Sequence, residues 1–145
     1  YKIDGITNPL LEEAFINHTQ WSSNKAKPIV IKNSNKLEKL FESKQTFKGM
    51  TATKGGFYGP QGRVLRLAIE DPYLNNKMDS FNYNEIRISN LEMETSAIYG
   101  LSKLLGHQAL SLNAIIANRA NGTFSKNPDM VVEKLIKYTL DKLVE

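Results

Sequence analysis

Hydrophobic residues recur at helical spacing in some stretches of the chain and at strand spacing in others. Leu11, Ala14 and Phe15 share one side of a short helix over Leu10 to His18, after a turn at Asn8-Pro9. Tyr1 to Gly5 before it reads as a short strand or a strand end. Pro28 to Lys32 holds the β-branched run Ile29-Val30-Ile31, which predicts a strand. Leu37, Leu40 and Phe41 are spaced for a helix over Lys36 to Ser43. Gly49 to Thr53 predicts a strand, and Val64 to Ile69 a strand or a helix start. Asp71-Pro72 opens a helix to about Phe81, with proline at the first helical position. Tyr83 to Ile88 predicts a strand, with Glu85 and Arg87 facing one way and Ile86 and Ile88 the other.

The helix from Met93 to Gly106 has the clearest pattern. Ala97, Ile98, Leu101, Leu104 and Leu105 form its apolar face, and Gly106 is its C-cap. Ser96, Ala97 and Gly100 allow close packing on a sheet. Ala109 to Ala117, within Gln108 to Asn118, is nearly all apolar, which predicts a strand buried on both faces of an α/β sheet. It ends at Asn118-Arg119, and an arginine there needs a carboxylate or a ligand as partner. Gly122 to Asn127 is a loop in which Thr123 and Phe124 could cover a pocket. Pro128 to Val144 is a final amphipathic helix, with Val131, Leu135, Tyr138 and Leu143 among charged residues. The order of elements predicts one domain over 1–145: an α/β fold with a mixed β-sheet flanked by helices.

Composition narrows the function classes. The 145 residues are 41% hydrophobic and 23% charged, as in an ordinary globular domain. No apolar run is long enough for a membrane span, so no membrane partner is expected. The absence of cysteine removes disulfides, thiolate metal sites and cysteine nucleophiles. His18 and His107 read as surface residues rather than ligands, so no metal site is expected. The net charge of +4 comes from lysines scattered among acids, which argues against nucleic acid. No secretory signal leads the chain, and a cytoplasmic location is expected.

Two stretches carry more than packing explains. Ser89 to Ser96 lies at the junction of the Tyr83 strand and the Met93 helix. Ser89 as cap and Glu92 three residues on would make a capping box. Glu94 is a second carboxylate that a cap does not need. The unpaired N–H groups of a first helical turn would keep both acids ionised. The second stretch is Lys54 to Arg63, with four glycines and one proline in ten residues. It carries Phe57, Tyr58, Gln61 and Arg63 instead of a polar tip. A flat ring, an amide and a planar guanidinium suit a planar heterocycle with carbonyl and N–H edges.

Taken in order, Phe57-Tyr58-x-x-Gln61-x-Arg63, Glu92-Met93-Glu94 and Ile115-Ile116-Ala117-Asn118-Arg119 closely resemble the uridine phosphorylases of the nucleoside phosphorylase-I family. The resemblance runs over essentially the whole chain but over only the carboxyl-terminal half of a typical member. It implies phosphorolysis: a nucleoside and phosphate give a free base and ribose 1-phosphate, with inorganic phosphate as co-substrate and no cofactor. By the match, Glu94 accepts from the ribose hydroxyls and favours the cationic sugar, and Met93 lines the ribose. Gln61 and Arg63 bind the uracil edge, and Arg63 with Arg119 stabilises the leaving base. Phe57 packs on the base, Ile115 and Ile116 wall the pocket, and Glu92 holds Gln61 and Arg63 in place. Asn118-Arg119, where purine-specific relatives have Ser-Asp, points to uridine or a related pyrimidine nucleoside.

The order Gly59-Pro60 departs from the commoner Pro-Gly, and Leu91 replaces an aromatic. Both bear on uridine against thymidine or deoxyuridine. The family's phosphate-binding loop and arginines have no match before Gly49, so this chain holds no phosphate-binding residues and is expected to be inactive alone. The expectation is a carboxyl-terminal part of a uridine phosphorylase that forms a homo-oligomer, a dimer or hexamer, and leaves sheet edges and apolar surface exposed on its own. The rival readings are a nucleosidase of the same fold, a non-catalytic nucleoside-binding module, and a plain structural domain.

Overall fold

The computed structural model describes residues 2–118 and 121–144. Helix α1 (Pro9–Thr19) begins where Asn8-Pro9 was expected to make a turn. The Asn8 side chain accepts the Leu11 N–H at 3.2 Å, and proline, which has no N–H to lose, fills the first helical position. Helix α2 (Asn35–Leu40) is capped in the same way by Ser34 and is shorter than predicted. Tyr138 of helix α5 (Pro128–Val144) donates to the Phe41 carbonyl at 2.8 Å, which ties α5 to the end of α2.

Strand β1 (Met50–Thr53) pairs in parallel with β3 (Ile86–Glu92), and β3 pairs antiparallel with β2 (Asn82–Tyr83). The sheet order is β1-β3-β2, a mixed sheet as the sequence predicted. Helix α3 (Leu74–Asp79) precedes β2 and begins later than Asp71-Pro72 suggested. The predicted single strand Tyr83 to Ile88 is a hairpin. Asn84 and Glu85 form its turn at φ values of 49° and 68°, both left-handed, as a two-residue type I′ turn requires. Glu85 therefore does not share a strand face with Arg87. Strand β3 then runs on through Ser89, so Ser89 is no helix cap. Helix α4 (Thr95–Leu104) follows, and Gly106 ends it in a left-handed conformation, with the His107 N–H bonded to the Ser102 carbonyl at 2.7 Å.

Two strand expectations fail, and in the first the backbone groups find partners elsewhere. The Val30 N–H bonds the buried Glu12 carboxylate at 3.0 Å, and the Val30 carbonyl accepts the Asn8 N–H at 2.9 Å. Glu12 also pairs with Lys27 at 3.3 Å. Pro28 to Lys32 is thus held by the start of α1, with a single bridge from Ile31 to Thr7. Between Gln108 and Asn118, only Ala117–Asn118 (β4) is a strand, paired with Thr123–Phe124 (β5). The sheet does not extend to it among the described residues, and Ile115 and Ile116 are about half exposed. Val64 to Ile69 has no regular structure, and Tyr1 lies outside the described residues.

Few apolar side chains are fully buried. Met78 and Phe81 pack under α1, where Phe15 and His18 meet the Phe81 ring edge-on at 5.4 Å each. Leu11 and Phe41 complete the buried set among the described residues. The outer face of α4 is open at Ile98, Leu101 and Leu105, and so is the 64–69 segment at Leu65 and Leu67.

Candidate functional site

The parallel pairing of β1 and β3 decides the site's geometry. Parallel strands end on the same side, so the segments that leave β1 and β3 emerge together. Thr53 and Glu92 are register partners at the two carboxyl ends. The Lys54 N–H continues the ladder to the Glu92 carbonyl at 2.8 Å. Loop 54–63 and the Glu92-Met93-Glu94 junction, well separated in sequence, therefore start side by side.

Glu92 caps α4. One carboxylate oxygen accepts the Glu94 and Thr95 N–H groups at 2.7 and 2.6 Å, and the other accepts the Thr53 hydroxyl at 2.5 Å. Thr53 in turn accepts the Ser96 N–H at 3.0 Å. The expected capping box from Ser89 is replaced by a cap that a neighbouring strand completes. The expected grip of Glu92 on Gln61 and Arg63 is also corrected: its carboxylate is spent on Thr53 and the helix start. Partial burial pushes the Glu92 carboxyl up, but the Thr53 hydroxyl and the two backbone N–H groups outweigh it and hold the group below its ordinary 4.5. A group lowered in the folded state contributes stability above its unfolded value, and this is lost as pH falls through the folded value. Thermal melts are expected to drop as pH falls below about 4.5, and Glu92→Gln to flatten that decline. Glu38 and Asp71, lowered by surface pairing with Lys48 and Lys77, add smaller, screened contributions. Equal acid-side slopes for wild type and Glu92→Gln would remove Glu92 from this role.

Glu94 sits at the N-cap position, but its side chain makes no cap bond. Its side chain is exposed, and one oxygen accepts the Met93 N–H at 3.2 Å. Met93 is exposed beside it.

Loop 54–63 is wound around one carbonyl. The N–H groups of Gln61 and Arg63 both reach the Tyr58 carbonyl at 3.0 Å, in a short 3-10 turn over Gly59–Gln61. Gly62 follows at φ 77°, and a side chain there would run into the Asn75 amide, which donates to the Gln61 carbonyl at 3.1 Å. Glycine is required at 62 on both counts. Phe57, Gln61 and Arg63 then form one cluster. The Arg63 guanidinium lies 3.6 Å from the centre of the Phe57 ring and donates to the Gln61 side-chain oxygen at 2.8 Å and to the Phe57 carbonyl. Gln61 is buried, while Phe57 is half exposed. Arg63 thus packs on the Phe57 ring, which the Tyr58 ring also meets edge to face at 5.3 Å.

Ile115 and Ile116 sit on the non-strand segment before β4, and Arg119 lies outside the described residues. The structure holds a cleft of about 2610 Å³, lined by Lys54, Tyr58, Arg63, Leu65, Tyr99 and Ile115 among others. That is well above the roughly 300–1,000 Å³ of a ligand pocket. Phe57, Gln61, Glu92, Met93 and Glu94 do not line it. The cleft is therefore an uncovered apolar face rather than an enclosed ligand pocket.

The sequence reading passed over Thr53 and Lys54. Lys54 is buried on the Met78 sulfur, 3.0 Å away, near the Trp21 ring, and burial with the nearby Lys25 lowers its ammonium to about 8. Neither residue stood out as a type, since a threonine ending a strand and a lysine opening a loop are ordinary. Among the described residues, no group of three His, Asp or Glu side chains could hold a metal ion. No helix of the described residues is long and apolar enough to cross a membrane.

The chain is 34% identical over 84 residues to the uridine phosphorylase of Thermococcus kodakarensis, a match covering 54% of this chain and 27% of that protein. Its fold matches a crystal structure of the Trypanosoma brucei nucleoside phosphorylase, described as showing uridine phosphorylase activity. The TM-score is 0.62 at 27% identity, over 91% of this chain and 39% of that one. No protein-family model matches the chain. The fold is thus that of the nucleoside phosphorylases, the likeness in sequence is to a uridine phosphorylase, and the chain spans well under half of each relative.

Proposed function

We propose that this chain supplies the base- and ribose-binding part of a uridine phosphorylase, which splits uridine with phosphate into uracil and ribose 1-phosphate. The observation that carries the reading is the shared exit of β1 and β3. It starts the loop that carries the Phe57, Gln61 and Arg63 cluster next to the junction that carries the exposed Glu94, which supports one site for a pyrimidine edge and ribose hydroxyls. In this reading Phe57 packs on uracil. Gln61 and Arg63 bind its carbonyl and N–H edge, and Met93 lines the ribose. Glu94 accepts from the ribose hydroxyls and stabilises the cationic sugar in the transition state. Arg63, joined by Arg119, offsets the charge that grows on the departing base. Ile115 and Ile116 wall the site. Glu92 serves it from behind, through the helix start.

Phosphate is the co-substrate and no cofactor takes part. Its ligands belong to the amino-terminal half of the family's members, so this chain alone binds uridine without cleaving it. A homo-oligomer and a cytoplasmic role in pyrimidine salvage complete the proposal. The open apolar cleft supports the first of these.

The test is titration of the 145-residue chain with uridine and with adenosine, followed by uracil release in its presence once a relative's amino-terminal half is added. Uridine should bind more tightly than adenosine, and uracil release should require phosphate. Binding of adenosine as tight as that of uridine would sink the pyrimidine assignment. Release at equal rate without phosphate would make the protein a nucleosidase.

A further inference from the structure

Thr53 ends β1 directly opposite Glu92, and its hydroxyl is used twice. It donates its single proton to one Glu92 oxygen and accepts the Ser96 N–H at 3.0 Å. The other Glu92 oxygen holds the N–H groups of Glu94 and Thr95. Three consecutive backbone N–H groups at the start of α4 are therefore fixed by a two-residue clamp drawn from two strands. Glu94 lies inside the clamped backbone, while its carboxylate stays outside the clamp and faces solvent.

We infer that Thr53 is a positioning residue for the ribose-binding carboxylate: by locking the first turn of α4 onto β1 it sets the direction in which Glu94 reaches the sugar. This rests on the nucleoside-binding reading above. The backbone of Glu94 can move only if its N–H leaves Glu92, and Glu92 can swing only if it leaves Thr53. A β-branched residue has few side-chain rotamers, so the hydroxyl needs little ordering to make both bonds. Valine has the same shape without them. Serine keeps the hydroxyl and loses some of the stiffness.

The base contacts are held separately. Loop 54–63 closes on the Tyr58 carbonyl and on Asn75, neither of which touches the Thr53 hydroxyl. Thr53 therefore matters for a ligand that carries ribose and not for the bare base, a distinction that a general loss of stability would not produce.

The 145-residue chain is titrated with uridine and, separately, with uracil, as wild type, Thr53→Val and Thr53→Ser, and circular dichroism confirms that each is folded at the assay temperature. Thr53→Val is expected to weaken uridine about tenfold, as loss of a hydrogen bond to a charged group does, and to leave uracil within about twofold. Thr53→Ser is expected to restore uridine to within about threefold of wild type, because its hydroxyl can rebuild both bonds. If Thr53→Val binds uridine as wild type does, or weakens uracil equally, or if serine fails to rescue, the positioning role is overturned and the nucleoside-binding reading stands. If the wild type binds neither uridine nor uracil, both fall together.

Discussion

Replacing Glu94 by alanine is expected to cost uridine affinity about 10- to 100-fold, the worth of hydrogen bonds to a charged acceptor, while leaving the melting temperature within experimental error. The geometry separates the two effects. The Glu94 carboxylate is exposed and, among the described residues, accepts a single 3.2 Å bond from the Met93 N–H, so the folded state loses little with it. Its backbone N–H, which Glu92 holds, survives in alanine. Under the proposed function, the same change in the assembled protein should lower the rate by about a hundredfold or more, since the negative charge would act most when the sugar becomes cationic. Calorimetry with uridine and a thermal melt on the same sample settle it. Unchanged affinity with a melt several degrees lower would mean that Glu94 is a structural cap and that the ribose assignment is wrong.

Phe81→Ala is the second large effect, and it acts on the fold. Phe81 is 2% exposed and its ring meets Phe15 and His18 edge-on. Burial of so large a ring means that its removal costs about 3–5 kcal/mol in transfer and cavity terms. A domain's net stability is only about 5–15 kcal/mol, and few apolar residues of this chain share the core with Phe81. The variant is expected to be largely unfolded, or to melt far below wild type. Phe124→Ala is the control: Phe124 is 77% exposed, and its loss should stay within about 0.5 kcal/mol. Denaturant unfolding of both variants, followed by circular dichroism, checks the pair. Equal midpoints for Phe81→Ala and wild type would show that the core lies elsewhere.

The two substitutions bracket a division of labour. Phe81, Met78 and Leu11 hold α1 and α3 together at one end, whereas the candidate site is built on β1, β3 and the start of α4. They meet where Asn75 of α3 donates to the Gln61 carbonyl and Lys54 lies on the Met78 sulfur, and one face of α4 stays open. An apolar surface of this kind agrees with a chain that spans 39% of a related phosphorylase, whose fold continues beyond it.

The sequence by itself determined the helices, because a helix is a local structure and its signals are local. Gly106 and Pro128 mark helix ends as expected, and Pro128 to Val144 keeps its predicted bounds, while Asn8-Pro9, read as a turn, and Ser34 turn out to be local caps of α1 and α2. It also singled out the residue types of the candidate site, since Phe57, Gln61, Arg63 and Glu94 stand out in a loop and at a junction. Strands were legible only where a partner strand exists. Gly49 to Thr53 nearly matches β1, but Ile29-Val30-Ile31 and the apolar run from Ala109 carry the same composition without becoming sheet. A strand is defined by hydrogen bonds to a neighbour, and for residues 28–32 those bonds go to Glu12 and Asn8. The tertiary structure alone decided the cap of α4. Ser89, three residues before Glu92, looked like the capping residue. The hydroxyl that completes the cap belongs to Thr53, 39 residues before Glu92 in sequence, and only the parallel register of β1 on β3 brings the two within a hydrogen bond.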